Sequence, residues 1–197
     1  FTYGKTLVKR YLLQQRDILL LGEMGIANTS AATAIMVALT QYSVAQCTGH
    51  GTGITDVQLR LKKKLIQQGI DRFNLLSENS RGVDDKHMSA EKVKQVLAEL
   101  GGFEIVQMVG TILAAAKAQL PIMIDGFIVS VAALAAVRID KNVRDYLIFS
   151  HQSEEQGHKL LLTELNAQPL LSLGLRLGEG TGAALAYPLV KAAVSFY

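Results

Sequence analysis

The sequence predicts an α/β fold in which a parallel sheet is covered by helices on both faces. Short apolar segments, glycine-rich or polar turns and longer helix-like segments alternate along the 197 residues, the order expected for strands joined by helical crossovers. The apolar segments lack an alternating polar face, which is typical of strands that are buried on both sides. The length suits one well-packed core, so we expect one domain with a small appended helical lobe.

The first half of the chain contains one clear strand and several helices. Residues 18–21 are four consecutive large aliphatic residues that end at Gly22, which predicts a short buried strand. Asn28, Thr29 and Ser30 follow as candidate N-caps of an alanine-rich helix. The predicted elements here are a helix over 3–15, the strand over 18–21, a helix over 31–39, a short strand over 44–48 and a helix over 56–68.

The predicted helix over 56–68 is amphipathic and precedes a polar stretch. Val57, Leu61 and Leu65 form its apolar side, and lysines form the other side. Residues 71–86 are polar and irregular, so they are the best candidate for a linker.

The second half of the chain repeats the alternation. Residues 121–124 are apolar and precede Asp125, and residues 145–149 end in the apolar run Leu147 to Phe149 before Ser150, so both segments predict buried strands. One predicted helix is capped by Ser89 and ends before Gly101 and Gly102. The other predicted helices lie over 103–119, over 127–138 and from 153 to 166, and a closing helix runs to Tyr197.

The composition argues against a nucleic-acid-binding or membrane-spanning protein. The formal charge is +3, and the one basic cluster, residues 60–64, stands alone rather than in a basic stripe with aromatic residues. The longest apolar tract, residues 127–137, is too short to cross a bilayer. A single cysteine, Cys47, fits a reducing compartment. The first residue is not Met, so we expect a processed or truncated chain.

The stretch over residues 17–32 combines the features of an anion-binding site. A strand, a glycine turn and a capped helix start together present free backbone N–H groups and the positive end of a helix dipole. Glu23 lies in this turn, where a site built only for phosphate would not place a carboxylate. An enzyme that holds a phosphorylated sugar and also handles a proton or a developing cation has a use for both features.

The carboxyl ends of the predicted strands indicate where a ligand binds, because parallel sheets bind ligands beyond those ends. This rule brings together Glu23, Asp125, Ser150 and His151, with two glycine loops able to join them. The glycine loop over 49–53 is neither a Walker loop nor a complete dinucleotide fingerprint. Its spacing alone is therefore weak support for phosphate binding.

Six motifs follow one another along nearly the whole chain. They are Gly22-Glu23-Met24-Gly25-Ile26-Ala27-Asn28-Thr29, Gly49-His50-Gly51-Thr52-Gly53, Gly101-Gly102-Phe103-Glu104-Ile105, Asp125-Gly126-Phe127-Ile128, Ser150-His151 with Gly157-His158, and Leu175-Arg176-Leu177-Gly178-Glu179-Gly180-Thr181-Gly182-Ala183-Ala184. This series closely resembles the nicotinate-nucleotide:dimethylbenzimidazole phosphoribosyltransferase family of cobalamin lower-ligand assembly.

The resemblance implies a cytoplasmic homodimer with a parallel sheet and a small helical lobe. It also implies transfer of phosphoribose from nicotinate mononucleotide to 5,6-dimethylbenzimidazole or a related base, which gives α-ribazole 5'-phosphate and nicotinate. Family members are much longer, so we expect the N-terminal part of the family fold, with much of the base pocket, to be absent. Residues 1–180 then form the phosphoribosyltransferase domain, and residues 181–197 form a closing helix that is a candidate part of the small lobe.

The resemblance also assigns site residues. Glu179 in the Gly-Glu-Gly-Thr-Gly loop matches the family's catalytic carboxylate, and Glu23 is its predicted catalytic partner. Ala27 replaces a glycine common in that turn, which we expect to be a mild change, and His50 stands where many relatives carry Arg. Together with the strand-edge residues, the predicted substrate and phosphate contacts are Gly25, Ile26, Asn28, Thr29, Gly51, Thr52, Gly53, Lys62, Asp125, Ser150, Gly178 and Gly180.

The implied chemistry suits two carboxylates. One nitrogen of the benzimidazole attacks C1′ of the ribose while a carboxylate takes the proton from the other, a contribution of about 10²–10⁴-fold. We expect Glu179, in a glycine loop that excludes water, to act as this base, and Glu23 to stabilise the oxocarbenium-like ribose. The reaction requires neither a metal nor a cofactor, and the four histidines lack metal-ligand spacing.

Plainer interpretations stay open beside the enzymatic one. Glu179 and Glu23 each also suit an acid at a helix start, and Asp125 suits a strand-ending turn. A second class of function is a non-catalytic nucleotide-binding module, or a subunit of a split enzyme, that keeps the sheet and the phosphate loops. A third class, a nicotinamide-dinucleotide oxidoreductase, is disfavoured by the incomplete fingerprint.

Overall fold

The computed structural model describes residues 1–51, 53–77, 88–176 and 178–196. It has the predicted α/β architecture, with parallel strands and helical crossovers. In chain order the elements are α1 (Thr2–Leu13), β1 (Leu19–Leu21), α2 (Thr29–Leu39), α3 (Val44–Cys47), α4 (Asp56–Ser77), α5 (Ala90–Leu100), α6 (Phe103–Lys117), β2 (Ile122–Ile124), α7 (Phe127–Ile139), a 3₁₀ turn (Lys141–Tyr146), β3 (Leu147–Phe149), β4 (His151–Ser153), α8 (His158–Glu164), β5 (Leu171–Leu175) and α9 (Thr181–Val194).

Three of the four predicted strands form one parallel sheet in the order β1-β2-β3. Leu19 pairs with Ile122, and Ile122 pairs with Leu147, so the strands start and end in register. Their carboxyl ends therefore meet at one edge, where Gly22, Asp125 and Ser150 follow the last strand residues. The 3₁₀ turn takes up the first part of the segment predicted as the third strand, which begins at Leu147.

Helices cover both faces of this sheet, as the sequence predicts. On one face, Ile122 and Ile124 of β2 point into the main core, which α2, α5, α6 and α7 share. On the other face, Met123 packs with Ala183 and Ala186 of α9 in a smaller apolar cluster. Because side chains alternate along a strand, the central strand of three large apolar residues is buried on both sides.

A second sheet of two parallel strands was not predicted. β4 follows β3 after a single residue, and it pairs with β5 with a register shift between His151 and Ser153. The sequence prediction of a helix from residue 153 is therefore wrong, and α8 begins at His158. The five residues of β5 are intermediate or exposed, so this segment lacks the buried apolar run that identifies the central strands.

The short strand predicted over 44–48 is a helix instead. Ser43 accepts a hydrogen bond from the backbone N–H of Gln46, while the side chain of Gln46 accepts one from the backbone N–H of Ser43. This capping box satisfies the free N–H groups of a helix start. It favours the helical turn Val44–Cys47 over an extended conformation.

Helix α4 differs most from its prediction. It continues to Ser77, so residues 71–77 are helical rather than a linker, and the rest of the predicted linker lies outside the described residues. Ile66, Ile70 and Phe73 are buried, and their spacing keeps one face of the helix on the core. The predicted apolar side is exposed instead, at Val57, Leu61 and Leu65.

The N-cap at the start of α5 is as predicted. The side chain of Ser89 accepts a hydrogen bond from the backbone N–H of Lys92, which satisfies one free donor of the first turn. Within the described ranges, no helix combines the length and the apolar character needed to cross a membrane.

Candidate active site

A cavity of about 270 Å³ opens at the carboxyl edge of the parallel sheet. Its walls come from the turn after β1, the glycine loop at 49–51, the start of α7 and the segment between β4 and α8. These are the loops that the sheet geometry predicts for a ligand site. The residues that line it include Glu23, Gly25, Thr29, Gly49, His50, Gly51, Asp125, Ser153, Glu155 and Gly178.

A lysine reaches the glycine loop from α4. Lys62 Nζ donates hydrogen bonds to Thr29 Oγ1 at 3.0 Å and to the backbone carbonyl of Gly49 at 3.1 Å. A Cβ on Gly51 would lie 3.6 Å from this ammonium and 3.4 Å from Thr29 Oγ1. The structure thus brings together three of the predicted phosphate contacts, namely Lys62, Thr29 and Gly51.

Two opposing effects act on the pKa of this lysine, and burial is the larger. Burial lowers the pKa of the Lys62 ammonium, and the negative charge of Glu155 opposes that shift. Glu155 also approaches the glycine loop, because a Cβ on Gly49 would lie 2.6 Å from its Oε2. The Lys62 ammonium is half-buried and donates to two neutral oxygen atoms. Such a cation is suited to exchange one neutral acceptor for a phosphate oxygen.

The rest of the glycine loop makes fewer contacts with the residues around the cavity. Gly51 and Gly53 have φ angles of +59° and +108°, and this left-handed region favours glycine. Among the described residues, no non-neighbouring atom lies within 4 Å of a Cβ built on Gly53. Thr52 lies outside the described residues. His50 lines the cavity, with its Nδ1 2.9 Å from the carbonyl oxygen of Ile54.

Glu23 is a half-buried acid in the cavity wall. Burial raises its pKa; the hydrogen bonds from Asn28 and from the backbone of Gly25 oppose this shift, and the charges of Glu104 and Asp125 add to it. The side-chain amide of Asn28 donates to Glu23 Oε2 and, at 3.3 Å, to Glu104 Oε1. One amide group therefore holds two carboxylates next to each other.

Glu104 is a site residue that the sequence reasoning missed. It belongs to the motif Gly101-Gly102-Phe103-Glu104-Ile105, which carried the family resemblance but received no role. The motif places Glu104 in the first turn of α6, from which it reaches Asn28. An acid shortly after a glycine pair at a helix start was the available signal, and its usual explanation is the helix dipole.

The turn that carries Glu179 is seated on the turn that carries Glu23. The backbone N–H of Glu179 donates to the backbone carbonyl of Glu23 at 2.6 Å. A Cβ on Gly22 would lie 2.3 Å from the backbone of Gly180, and a Cβ on Gly178 would lie 2.7 Å from the Glu23 carbonyl oxygen. The glycines in both turns are therefore required for this close backbone approach.

The side chain of Glu179 itself is exposed. It is absent from the described residues that line the cavity, so the expectation that its loop excludes water is wrong for this chain. Its φ angle of +66° lies in the left-handed region, which costs a non-glycine residue roughly 1–2 kcal/mol. Such strain is typical of functional turns, and the catalytic role of Glu179 stays a prediction.

Asp125 is buried and acts on the same turn. Its Oδ2 accepts a hydrogen bond from the backbone N–H of Gly180 at 3.2 Å, and its Oδ1 accepts one from that of Ala183 at 2.9 Å. Helix α9 has no side-chain cap from its own N-cap residue, Gly180, so Asp125 supplies this cap from the end of β2. The carboxylate predicted to contact substrate thus also anchors the turn of Glu179.

The other predicted contacts lie at the margin of the site. Ile26 is 65% exposed, and Ser150 is wholly buried beneath the cavity with an Oγ that has no partner among the described residues. Their roles as substrate contacts stay predictions. Ala27 has a φ angle of +67°, which carries a backbone cost of about 1 kcal/mol for a non-glycine residue.

Fold and site together define a class. This is a parallel α/β protein in which glycine turns and a lysine lie beside an acidic cavity wall at the carboxyl edge of the sheet. A family model described as phosphoribosyltransferase matches residues 1–197. The chain belongs to the nicotinate-nucleotide:dimethylbenzimidazole phosphoribosyltransferase family, as its six motifs indicate.

Two relatives and one solved structure illustrate the similarity. The nicotinate-nucleotide–dimethylbenzimidazole phosphoribosyltransferase of Shewanella frigidimarina is 53% identical over 199 residues, which cover 100% of this chain and 52% of that protein. The protein of the same name from Vibrio vulnificus is 52% identical over 194 residues, 98% of this chain and 52% of its own length. CobT from Thermus thermophilus superposes with a TM-score of 0.84 at 37% identity, over 96% of this chain and 53% of that one. The chain spans about half the length of the relatives it matches.

Proposed function

We propose that the protein transfers phosphoribose from nicotinate mononucleotide to 5,6-dimethylbenzimidazole or a related base, giving α-ribazole 5'-phosphate and nicotinate. The observation that carries this proposal is the joint opening of two sites into one cavity. Thr29 and Gly49 line the cavity and are both bound by Lys62, and the half-buried Glu23 lines the same cavity. A phosphate site beside a carboxylate of raised pKa suits a phosphorylated sugar whose C1′ reacts.

In the proposed complex, Lys62 binds the 5'-phosphate. Its ammonium already donates to Thr29 Oγ1 and to the carbonyl of Gly49. A charged phosphate oxygen is a stronger acceptor than either, so it replaces one of them. The start of α2 lies at Thr29 and adds backbone N–H donors and the positive end of its dipole. The ribose then extends from this anchor toward Glu23.

The transfer itself exchanges one bond to C1′ for another. A lone pair on one nitrogen of the benzimidazole forms the new bond to C1′. The bond from C1′ to nicotinate breaks, and its electron pair returns to the pyridinium nitrogen, which makes the leaving ring neutral. The proton on the other benzimidazole nitrogen passes to a glutamate carboxylate, while a second carboxylate stabilises the positive charge on the ribose.

Two glutamates are candidates for the proton acceptor. The family resemblance supports Glu179, whose backbone is fixed on the carbonyl of Glu23. The raised pKa and the position of Glu23 in the cavity wall support Glu23, because a base works best with a pKa near the working pH. We assign the proton to Glu179 and the charge stabilisation to Glu23, and we treat the exchange of these roles as the competing assignment.

The experiment is to measure nicotinate release from nicotinate mononucleotide and dimethylbenzimidazole by the protein and by its Glu179→Gln and Glu23→Gln variants. Turnover that is lost in Glu179→Gln at every pH, and that a chelator leaves unchanged, supports the proposal. If Glu179→Gln keeps full turnover while Glu23→Gln abolishes the pH dependence, the roles are exchanged. An absence of turnover in the unmodified protein would contradict the proposal.

The competing function is a nucleotide-binding module or a subunit of a split enzyme. The exposed side chain of Glu179 favours it, because a base in contact with bulk water is poorly placed for proton transfer. Tight binding of nicotinate mononucleotide without nicotinate release identifies this function.

We also propose that the protein is a cytoplasmic homodimer. Light scattering tests the homodimer, which has twice the chain mass of 21.3 kDa.

A further inference from the structure

His151 is a wholly buried histidine that the proposed reaction does not use. It begins β4 at the carboxyl edge of the main sheet, with 0% of its surface exposed. Neither ring nitrogen has a hydrogen-bond partner among the described residues. Buried polar atoms without partners are rare in proteins, and each requires an explanation.

The ring lies against the carboxylate that anchors the Glu179 turn. His151 Nε2 is 3.6 Å from Asp125 Oδ1, slightly beyond a full hydrogen bond. The same carboxylate accepts the backbone N–H groups of Gly180 and Ala183. A small displacement of Asp125 would therefore change the geometry of the residue that follows Glu179.

The opposite contact of the ring is the start of α9. A Cβ on Gly182 would lie 1.9 Å from His151 Cδ2 and 2.5 Å from its Nε2. This position tolerates only glycine while the ring keeps its place. The imidazole is thus held between the carboxylate of Asp125 and the backbone of the helix that Asp125 caps.

A second buried histidine closes the space behind the ring. The rings of His151 and His158 are 6.2 Å apart in an edge-to-face arrangement. His158 Nδ1 accepts a hydrogen bond from the backbone N–H of Ser153 at 2.9 Å, so the Nε2–H faces Ser130 Oγ at 3.1 Å. Since its partners are fixed, His158 acts as a rigid neutral wall, and His151 has little freedom to turn away from Asp125.

We propose that His151 is a positioning residue for the Glu179 turn. It keeps the carboxylate of Asp125 and the first turn of α9 in place, and these two hold Gly180 and therefore the backbone of Glu179 on the carbonyl of Glu23. In this role it contacts neither the sugar nor the base. The catalytic consequence rests on the proposed function, whereas the structural consequence can be measured without any turnover.

The test compares His151→Leu, which removes the Nε2 donor, with His151→Gln, whose amide places an N–H donor near the same point. Hydrogen exchange of the Gly180 and Ala183 amides is measured by NMR in each protein, together with kcat and KM for nicotinate release. In the Leu variant we expect both amides to exchange at least about tenfold faster and kcat to fall about ten- to hundredfold. KM for nicotinate mononucleotide should stay within about threefold, because phosphate binding depends on other residues. The Gln variant should recover most of the amide protection and of kcat.

The Gly182→Ala variant gives an independent measurement if the Leu variant does not fold. It keeps His151 but places a methyl group where the ring lies, so we expect the same faster exchange at Gly180 and Ala183. Unchanged protection of both amides in His151→Leu or Gly182→Ala would overturn the proposal, as would a Gln variant no better than the Leu variant. If the unmodified protein releases no nicotinate, the proposed function fails, and the exchange rates still decide the role of His151.

Discussion

The backbone N–H of Glu179 donates a hydrogen bond to the backbone carbonyl of Glu23 over 2.6 Å. This contact joins the two acids that the sequence selects from opposite ends of the chain. It fixes their backbones and leaves their side chains to diverge, with Glu23 in the cavity wall and Glu179 in solvent. The close approach is possible because both turns contain glycine where they meet.

We therefore expect Gly22→Ala to separate the two turns. Its new Cβ would lie 2.3 Å from the backbone of Gly180, and backbone cannot give way as a flexible side chain can. The loss in free energy of unfolding should be about 1–3 kcal/mol, as for other overpacked sites. Thermal unfolding measures this loss, and nicotinate release should fall more than stability alone explains.

Gly69→Ala is the matched control for that substitution. Gly69 lies inside α4, where the nearest atom to a new Cβ is Leu100 Cδ2 at 3.7 Å. A glycine-to-alanine change in a helix interior stabilises by roughly 0.5–1 kcal/mol. Equal effects of the two substitutions would contradict the view that Gly22 is needed for the contact between the turns.

The sequence predicts those parts of the fold that depend on local pattern. The strands Leu19–Leu21 and Ile122–Ile124 are continuous apolar runs between turns, and the sheet rule places their ends together. Helix α4 shows the limit, because Val57, Leu61 and Leu65 satisfy the same helical spacing as the face that is buried. Contacts with distant segments decide which of two apolar helix faces packs on the core. The spacing of residues along the helix carries no information about those contacts.

The candidate site likewise contains some contacts that the sequence predicts and others that it does not. The family resemblance selects Lys62, Thr29 and Gly51, and the structure brings them together. The contacts of Glu104 with Asn28, and of Asp125 with the start of α9, join segments far apart in sequence. Glu104 received no role from the sequence, and Asp125 was predicted as a substrate contact with a strand-ending turn as the plainer explanation. Neither contact follows from local sequence.

Substitution of Lys62 tests the phosphate site. In Lys62→Met the side chain keeps its apolar length but loses the ammonium that donates to Thr29 and Gly49. A hydrogen bond to a charged group contributes roughly 1.5–3 kcal/mol, so KM for nicotinate mononucleotide should rise about ten- to hundredfold. Lys64→Met, on the exposed side of the same helix, is the control and should leave KM unchanged. A similar KM in both variants would show that the phosphate binds elsewhere.

Removing the charge of Glu104 should lower the pKa of Glu23. The negative charge of Glu104 is one of the causes that raise it, after burial, and the two carboxylates share the amide of Asn28. In Glu104→Gln we expect the pKa of Glu23 to fall, because one of the neighbouring charges that raise it is gone. The acidic limb of the rate profile should shift to lower pH by the same amount if Glu23 must be ionised.

Carboxyl ¹³C NMR measures this titration directly, without any need for turnover. Glu99→Gln is the matched control, because Glu99 lies exposed in the neighbouring helix α5 and its charge is not among those that shift Glu23. A Glu23 titration that is the same in Glu104→Gln as in the unmodified protein would mean that the charge of Glu104 does not raise the pKa of Glu23.

His158 should make the protein less stable in acid. Burial, and then the neighbouring charge of His151, lowers the pKa of His158 to about 3, whereas an unfolded histidine titrates near 6.5. Between these values the unfolded chain binds the extra proton and the folded chain does not. The free energy of unfolding therefore has its full value above about pH 6.5 and falls as the pH drops toward 3, by up to about 1.4 kcal/mol per pH unit.

Denaturant unfolding at a series of pH values measures this dependence. The free energy of unfolding should depend less steeply on pH in His158→Gln, whereas the exposed His50→Gln should keep the original dependence. Parallel slopes for the two variants would show that other groups cause the acid sensitivity.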